Sequence, residues 1–122
     1  MSRIIVKKIE GDRMLDSQPT PMTEAMYYVL LALNQPLHGY AVMDVVKQVS
    51  NDRVLMGPGT LYGIIKRLQK DRLIVLEELD GRRKVYQLSE LGREALLKEY
   101  HRLQQMVEDG KLMFGEGKSS ER

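Results

Sequence analysis

Three glycines in seven residues, Gly57, Gly59 and Gly63, run straight into the basic segment Lys66-Arg67-Leu68-Gln69-Lys70. Such a run invites a phosphate-binding reading. A Walker-type loop needs a lysine and then a serine or threonine directly after its last glycine, and Ile64 stands there instead. A dinucleotide fingerprint needs Gly-x-Gly-x-x-Gly between a strand and a helix; the third glycine here comes one residue late. Other chemistry is equally thin. With no cysteine in the chain, thiolate nucleophiles, disulfides and Cys-based metal sites are excluded. His38 and His101 are far apart in the chain and do not make a metal-ligand pair with helical spacing. Glu77-Glu78 reads as a solubilising strand edge. No nucleophile, base and orienter can be assembled, so the expectation is a protein that is not an enzyme and needs no cofactor.

The same glycines make sense as the opening of a helix. Pro58 suits the first helical position, where a missing N–H costs nothing. It also pushes Gly57 toward the extended conformation of an N-cap. Leu61, Ile64, Ile65 and Leu68 recur at helical spacing and form an inner face. The opposite face carries Tyr62, Gly63, Lys66 and Lys70, with Thr60 and Arg67 beside it. An aromatic, a glycine and several cations on one exposed face make up a helix suited to the major groove. They equally make up an ordinary solvated face, and the helix alone does not decide.

The elements around this helix narrow the choice. Residues 1–20 read as an arm: Ile4, Ile5, Val6 and Ile9 as a short strand, Gly11-Asp12 as a turn, and Pro19 and Pro21 as its close. Thr23 is a fair N-cap for a helix through Leu33 that is apolar nearly all round, hence buried on several sides. A second helix runs from Tyr40 to Val49. After the basic helix, Leu73 to Leu79 and Lys84 to Leu88 read as two strands joined through Asp80-Gly81, a hairpin signal. The tip brings Arg82, Arg83 and Lys84 together. Ser89 then caps a helix to about Phe114, roughly 38 Å long at 1.5 Å per residue, more than so small a domain can cover. Its Leu96, Tyr100, Leu103, Val107, Gly110 and Phe114 step by four and three, a coiled-coil-like seam.

The expected fold class is mainly α with a small β-hairpin: a winged helix-turn-helix over residues 21–90, a C-terminal dimerisation helix over 91–114 and a polar, disordered tail over 115–122. With 122 residues and 43% apolar content, one small core is expected. Net charge is only +2, so binding of nucleic acid has to rest on where the cations cluster. No apolar run approaches the ~20 residues that cross a bilayer, and the expectation is a cytoplasmic protein without a membrane partner. Basic helix and basic hairpin tip together favour one positive footprint for double-stranded DNA. An acidic protein surface is the alternative partner of a winged-helix interaction module.

By its motifs the chain resembles the PadR family of bacterial transcriptional regulators. The residues that carry the resemblance are Leu37-His38-Gly39-Tyr40, Gly59-Thr60-Leu61-Tyr62, Lys66-Arg67-Leu68, Arg82 to Leu88 and Ser89 to Glu94, within about residues 22–110. It looks like the smaller subfamily with one long C-terminal helix. The resemblance implies a homodimeric repressor on a two-fold DNA operator, often released by a small ligand. On that footing Thr60, Tyr62, Lys66 and Lys70 would face the major groove. Arg67, His38 and Tyr40 would lie near phosphates, and Arg82, Arg83 and Lys84 on the wing. Met26 and Leu30 would join Leu96, Tyr100, Leu103, Val107 and Phe114 in the dimer interface. Tyr27, Tyr28, Met26, Tyr100, Met106, Met113 and Phe114 are either plain core or the lining of a cavity for a small apolar or aromatic effector. The chain departs from the family's pattern at Arg72, where a glycine is usual after the third helix, and in its longer N-terminal arm.

Overall fold

A computed structural model describes residues 21–79 and 83–115. Helix α1 (Glu24–Ala32) opens at Thr23, whose Oγ1 accepts from the Met26 N–H at 3.1 Å. A two-residue strand β1 (Leu37–His38) leads directly into α2 (Gly39–Val49), and α3 (Pro58–Lys70) follows. Strands β2 (Ile74–Leu79) and β3 (Arg83–Leu88) precede the long α4 (Glu90–Phe114). The sheet has three strands in the order β1-β3-β2, all antiparallel. Sequence patterning anticipates only the hairpin. The third strand is too short to show a period, yet its pairs Leu37↔Tyr86 and His38↔Val85 tie the start of α2 to the wing. The expected arm strand, the Asp80-Gly81 turn with Arg82, and most of the polar tail lie outside the described residues.

Each helix contributes one stripe to a common core. Val29, Leu30 and Leu33 meet Val42 and Val46 of α2, Leu61, Ile65 and Leu68 of α3, and Ile74, Tyr86, Leu88 and Leu96. Each fully buried aliphatic side chain of this kind is worth about 1.5–3 kcal/mol. Two residues expected at the dimer face are here instead: Leu30 is 0% exposed and Leu96 8% exposed within the single chain. The correction has a physical cause. An all-round apolar helix such as α1 uses one face for its own core, and α4 lays its first turns on α1 and β3.

Helix ends are set by local chemistry. Gly57 is the extended N-cap of α3 with Pro58 at its first position. At the other end the Leu73 N–H reaches Leu68 O (2.9 Å) and the Arg72 N–H reaches Gln69 O (3.0 Å), the Schellman pattern. Its left-handed position is held by Arg72 at φ 62°, where glycine would be unstrained. The same pattern closes α2 through Asn51 and Asp52, at φ 54° and 64°; both types tolerate this region. Helix α4 starts at Ser89, whose Oγ accepts from the Gly92 N–H at 2.9 Å and donates to Arg72 O at 2.7 Å. Gly92 is required there because a Cβ would run into the Leu73 carbonyl. Among the described residues no helix is long and apolar enough to cross a membrane.

Candidate nucleic-acid interface

Helix α3 presents the two faces its sequence dictates. Leu61, Ile65 and Leu68 are buried, while Thr60, Tyr62, Gly63, Lys66, Arg67 and Lys70 are exposed. The helix has no acidic residue. Arg67 makes an exposed ion pair with Asp71 at 3.5 Å, of a kind worth little. Lys66 and Lys70 form no ion pair among the described residues. Gly59 and Gly63 have nothing within 4 Å of where a Cβ would stand, so internal packing does not explain them. What results is a cationic outer face without side chains at two of its positions.

The wing stands beside it. Arg83 and Lys84 are exposed at the start of β3, which is held between β1 and β2. The Lys84 carbonyl lies 3.4 Å from His38 Nδ1. His38 is also the N-cap of α2, with no side-chain cap bond, so the first N–H groups of that helix lack a capping acceptor from it. Tyr40 is exposed in the first turn. A cleft of about 390 Å³ opens where these elements meet, lined by His38, Gly39, Tyr40, Tyr62, Lys84 and Tyr86. Within it the Tyr62 ring rests on Gly39, so closely that a Cβ at Gly39 would overlap the phenol. Burial, and then the neighbouring Tyr62, push the Tyr86 phenol above its ordinary value. Sequence reasoning brought His38, Tyr40, Tyr62 and Lys84 forward but missed Gly39 and Tyr86 as their partners. The available signals were a glycine at a helix start and an aromatic two residues after Lys84 on the same strand face.

A second cleft, about 330 Å³, lies between α1 and α4 and is lined by Met22, Thr23, Glu24, Tyr27, Tyr28, Glu99, Arg102 and Leu103. Tyr27 and Tyr28 stand edge-on with ring centroids 5.8 Å apart. Arg53 donates to Glu24 at 2.6 Å and to the Tyr28 hydroxyl at 3.2 Å. Glu99, nearly buried, accepts two bonds from Arg102, at 2.5 and 3.0 Å. Those bonds hold its carboxyl below the ordinary glutamate value, against the opposing effect of burial. Burial raises the Tyr27 phenol, helped by Tyr100, Tyr28 and Glu99. Of the residues expected around an effector, only Tyr27 and Tyr28 line this cleft. Met26 packs on the core. Tyr100 is exposed against His101, and Met106, Met113 and Phe114 are exposed on the outer part of α4.

The outer part of α4 continues an inner line. At 100° per residue, Gly92, Leu96, Glu99 and Leu103 share a face with Val107, Gly110 and Phe114. The first three are buried and Leu103 is partly so, whereas Val107 is exposed and Phe114 is 83% exposed. Among the described residues no three His, Asp or Glu side chains gather where a metal could bind.

A winged helix with a basic third helix and a long C-terminal helix defines a class of transcriptional regulators. The chain belongs to the transcriptional regulator PadR-like family, whose model matches residues 29–98. It is 43% identical over 79 residues to an uncharacterized 37.1 kDa protein in transposon TN4556 of Streptomyces fradiae, covering 64% of this chain and 22% of that one. It is 34% identical over 68 residues to transcriptional regulator Rv3488 of Mycobacterium tuberculosis, covering 53% of this chain and 64% of the other. The matches thus span less than two thirds of either relative. Among solved structures, a PadR family regulator from Eggerthella lenta superposes with a TM-score of 0.62 at 23% identity, over 90% of this chain and 96% of that one. Bacillus subtilis PadR, solved in complex with operator DNA, gives 0.56 at 23% identity, over 64% of this chain and 47% of that one. Both likenesses show the shared fold.

Proposed function

We propose that this chain is a DNA-binding repressor that grips a two-fold operator as a homodimer in the cytoplasm. Lys66, Lys70 and Thr60 face the major groove. Arg67, His38 and Tyr40 lie along phosphates, and Arg82, Arg83 and Lys84 form the wing contact. The observation that carries this reading is the acid-free outer face of α3, whose Lys66 and Lys70 lie outside any described ion pair, beside the basic wing strand. A groove lined with phosphates supplies the anions this surface lacks. The operator-bound Bacillus subtilis relative of the same fold supports it. For the dimer, the support is the continuity of α4: its core-facing line runs on through Val107, Gly110 and Phe114, of which Val107 and Phe114 are left exposed by the other described residues. Two-fold pairing there would offer two α3 helices to grooves about 34 Å apart.

The α1–α4 cleft is where we place release by a small apolar or aromatic effector. Tyr27 and Tyr28 supply an aromatic wall and Leu103 an apolar one, beside the line through which α4 would meet its partner.

Fluorescence anisotropy with labelled DNA flanking the chain's own gene tests the reading. Affinity should fall steeply with salt, as phosphate contacts require. Lys66→Ala and Arg83→Ala should each weaken binding and reduce the salt slope by about one, with melting temperature unchanged. A basic surface that instead recognises an acidic protein would show no preference for that DNA over random competitor.

A further inference from the structure

The obvious reading of Tyr62, an exposed aromatic on the basic face of α3, is that it reads bases. Its surroundings point elsewhere. The residue is only 41% exposed, and its hydroxyl and adjoining ring carbons press on Gly39, the first residue of α2. Gly39 is itself buried, so the hydroxyl end of the ring rests on the chain's own body while the rest of the side chain stays open to solvent. The cleft around it is shared with His38 and Tyr40 from the start of α2 and with Lys84 and Tyr86 from β3. Three elements that would touch DNA therefore converge on one side chain. Two further links run through the same place: β1 pairs Leu37 with Tyr86, and His38 approaches the Lys84 carbonyl.

We propose that Tyr62 is a positioning residue: by resting on Gly39 between α2 and the wing strand, it fixes the setting of the recognition helix against both. The inference rests on the DNA-binding reading and assigns the role of a residue within it. With the end of the ring resting on Gly39 and no side chain at Gly59 or Gly63, groove contacts fall to Thr60, Lys66 and Lys70. A Cβ at position 39 would meet the hydroxyl end of the Tyr62 ring, so a side chain there requires the ring to move. A methyl group there would push the phenol away and, through it, tilt α3 relative to Lys84 and Tyr86.

The test is a double-mutant cycle on the full chain, read by anisotropy on the DNA flanking its gene, with melting curves alongside. Gly39→Ala and Tyr62→Ala should each lower affinity roughly tenfold, about the weight of one lost DNA contact. The double variant should bind as Tyr62→Ala does, since the added methyl then meets no ring. Tyr62→Phe, which keeps the ring, should bind within about twofold of the unmodified chain, because positioning needs the ring's bulk and not a hydrogen bond to DNA. Multiplying losses in the double variant would overturn the proposal. So would unchanged affinity in Gly39→Ala or Tyr62→Ala, a tenfold loss in Tyr62→Phe, or a Tyr62→Ala defect confined to discrimination at one base pair. If Gly39→Ala alone does not fold, recovery of folding and binding by the added Tyr62→Ala supports the proposal, and failure to recover sinks it. Absence of binding by the unmodified chain contradicts the DNA-binding reading itself, a different result from an additive cycle.

Discussion

Arg72 holds a backbone conformation that costs an L-residue about 1–2 kcal/mol. It does so because α3 must turn sharply into β2, and the two Schellman hydrogen bonds at 2.9 and 3.0 Å fix the turn. Arg72→Gly should therefore stabilise the chain by about 0.5–1 kcal/mol after allowing for the extra freedom of glycine in the unfolded state. In a domain of this size that amounts to a rise in melting temperature of roughly 2–8 °C; a fall would show that the arginine makes a compensating contact. Glu99 gives a prediction in pH. Its carboxyl is held below the ordinary 4.5 by Arg102, so its contribution is complete above the unfolded-state value. The contribution is lost as pH drops through the lowered folded value. The stability gap between the unmodified chain and Glu99→Gln should thus be constant from neutral pH to about 5 and close below 4.5, as read by denaturant titration across pH. A gap that widens in acid would contradict the assigned direction. At this scale the caps at Thr23, Gly57-Pro58 and Ser89 were legible in the sequence because capping is a matter of neighbouring residues. The Tyr62–Gly39 contact was not, because nothing local links a helix-start glycine to an aromatic on another helix.

Elements were legible where they carried a period. The inner stripe of α3 and the extent of α4 can be read from spacing alone. Strand β1, two residues long, had no period to read, and its pairing to β3 joins segments nearly fifty residues apart. Leu30 and Leu96 show the complementary limit: periodicity says that a residue is on an apolar face but not whether the chain's own body or a second copy covers it. Position 92 reports how α4 is seated. Its backbone touches the Leu73 carbonyl while Ser89 bonds Arg72 O, so the helix start and the β2 lead-in form one joint. Gly92→Ala should force them apart at a cost of about 1–3 kcal/mol, seen as a lower denaturant midpoint. An unchanged midpoint would mean that the joint has slack.

The whole molecule is divided by charge and by cover. Cations are exposed on α3 and β3; along α4, the apolar line runs on past the other described elements, with Val107 and Phe114 exposed. A carboxylate in that line, Val107→Glu, should convert a dimer to a monomer in sedimentation velocity at micromolar concentration and leave helix content intact, because Val107 contributes nothing to the core. A dimer that persists would place the interface elsewhere. The charged side was only partly legible. Net charge of +2 hides the cations' placement: spacing puts Lys66 and Lys70 on the outer face of α3, and the fold adds that Lys84 shares a cleft with Tyr62 of that helix. The most direct measurement of the central claim is equilibrium anisotropy on DNA flanking the chain's own gene, with excess random competitor, for the unmodified chain and for Lys66→Ala. The account predicts saturable binding at two chains per site, a salt slope reduced by about one in the variant, and several-fold weaker affinity. Competitor that abolishes binding of the unmodified chain, or a variant that binds as tightly with the same slope, would contradict it.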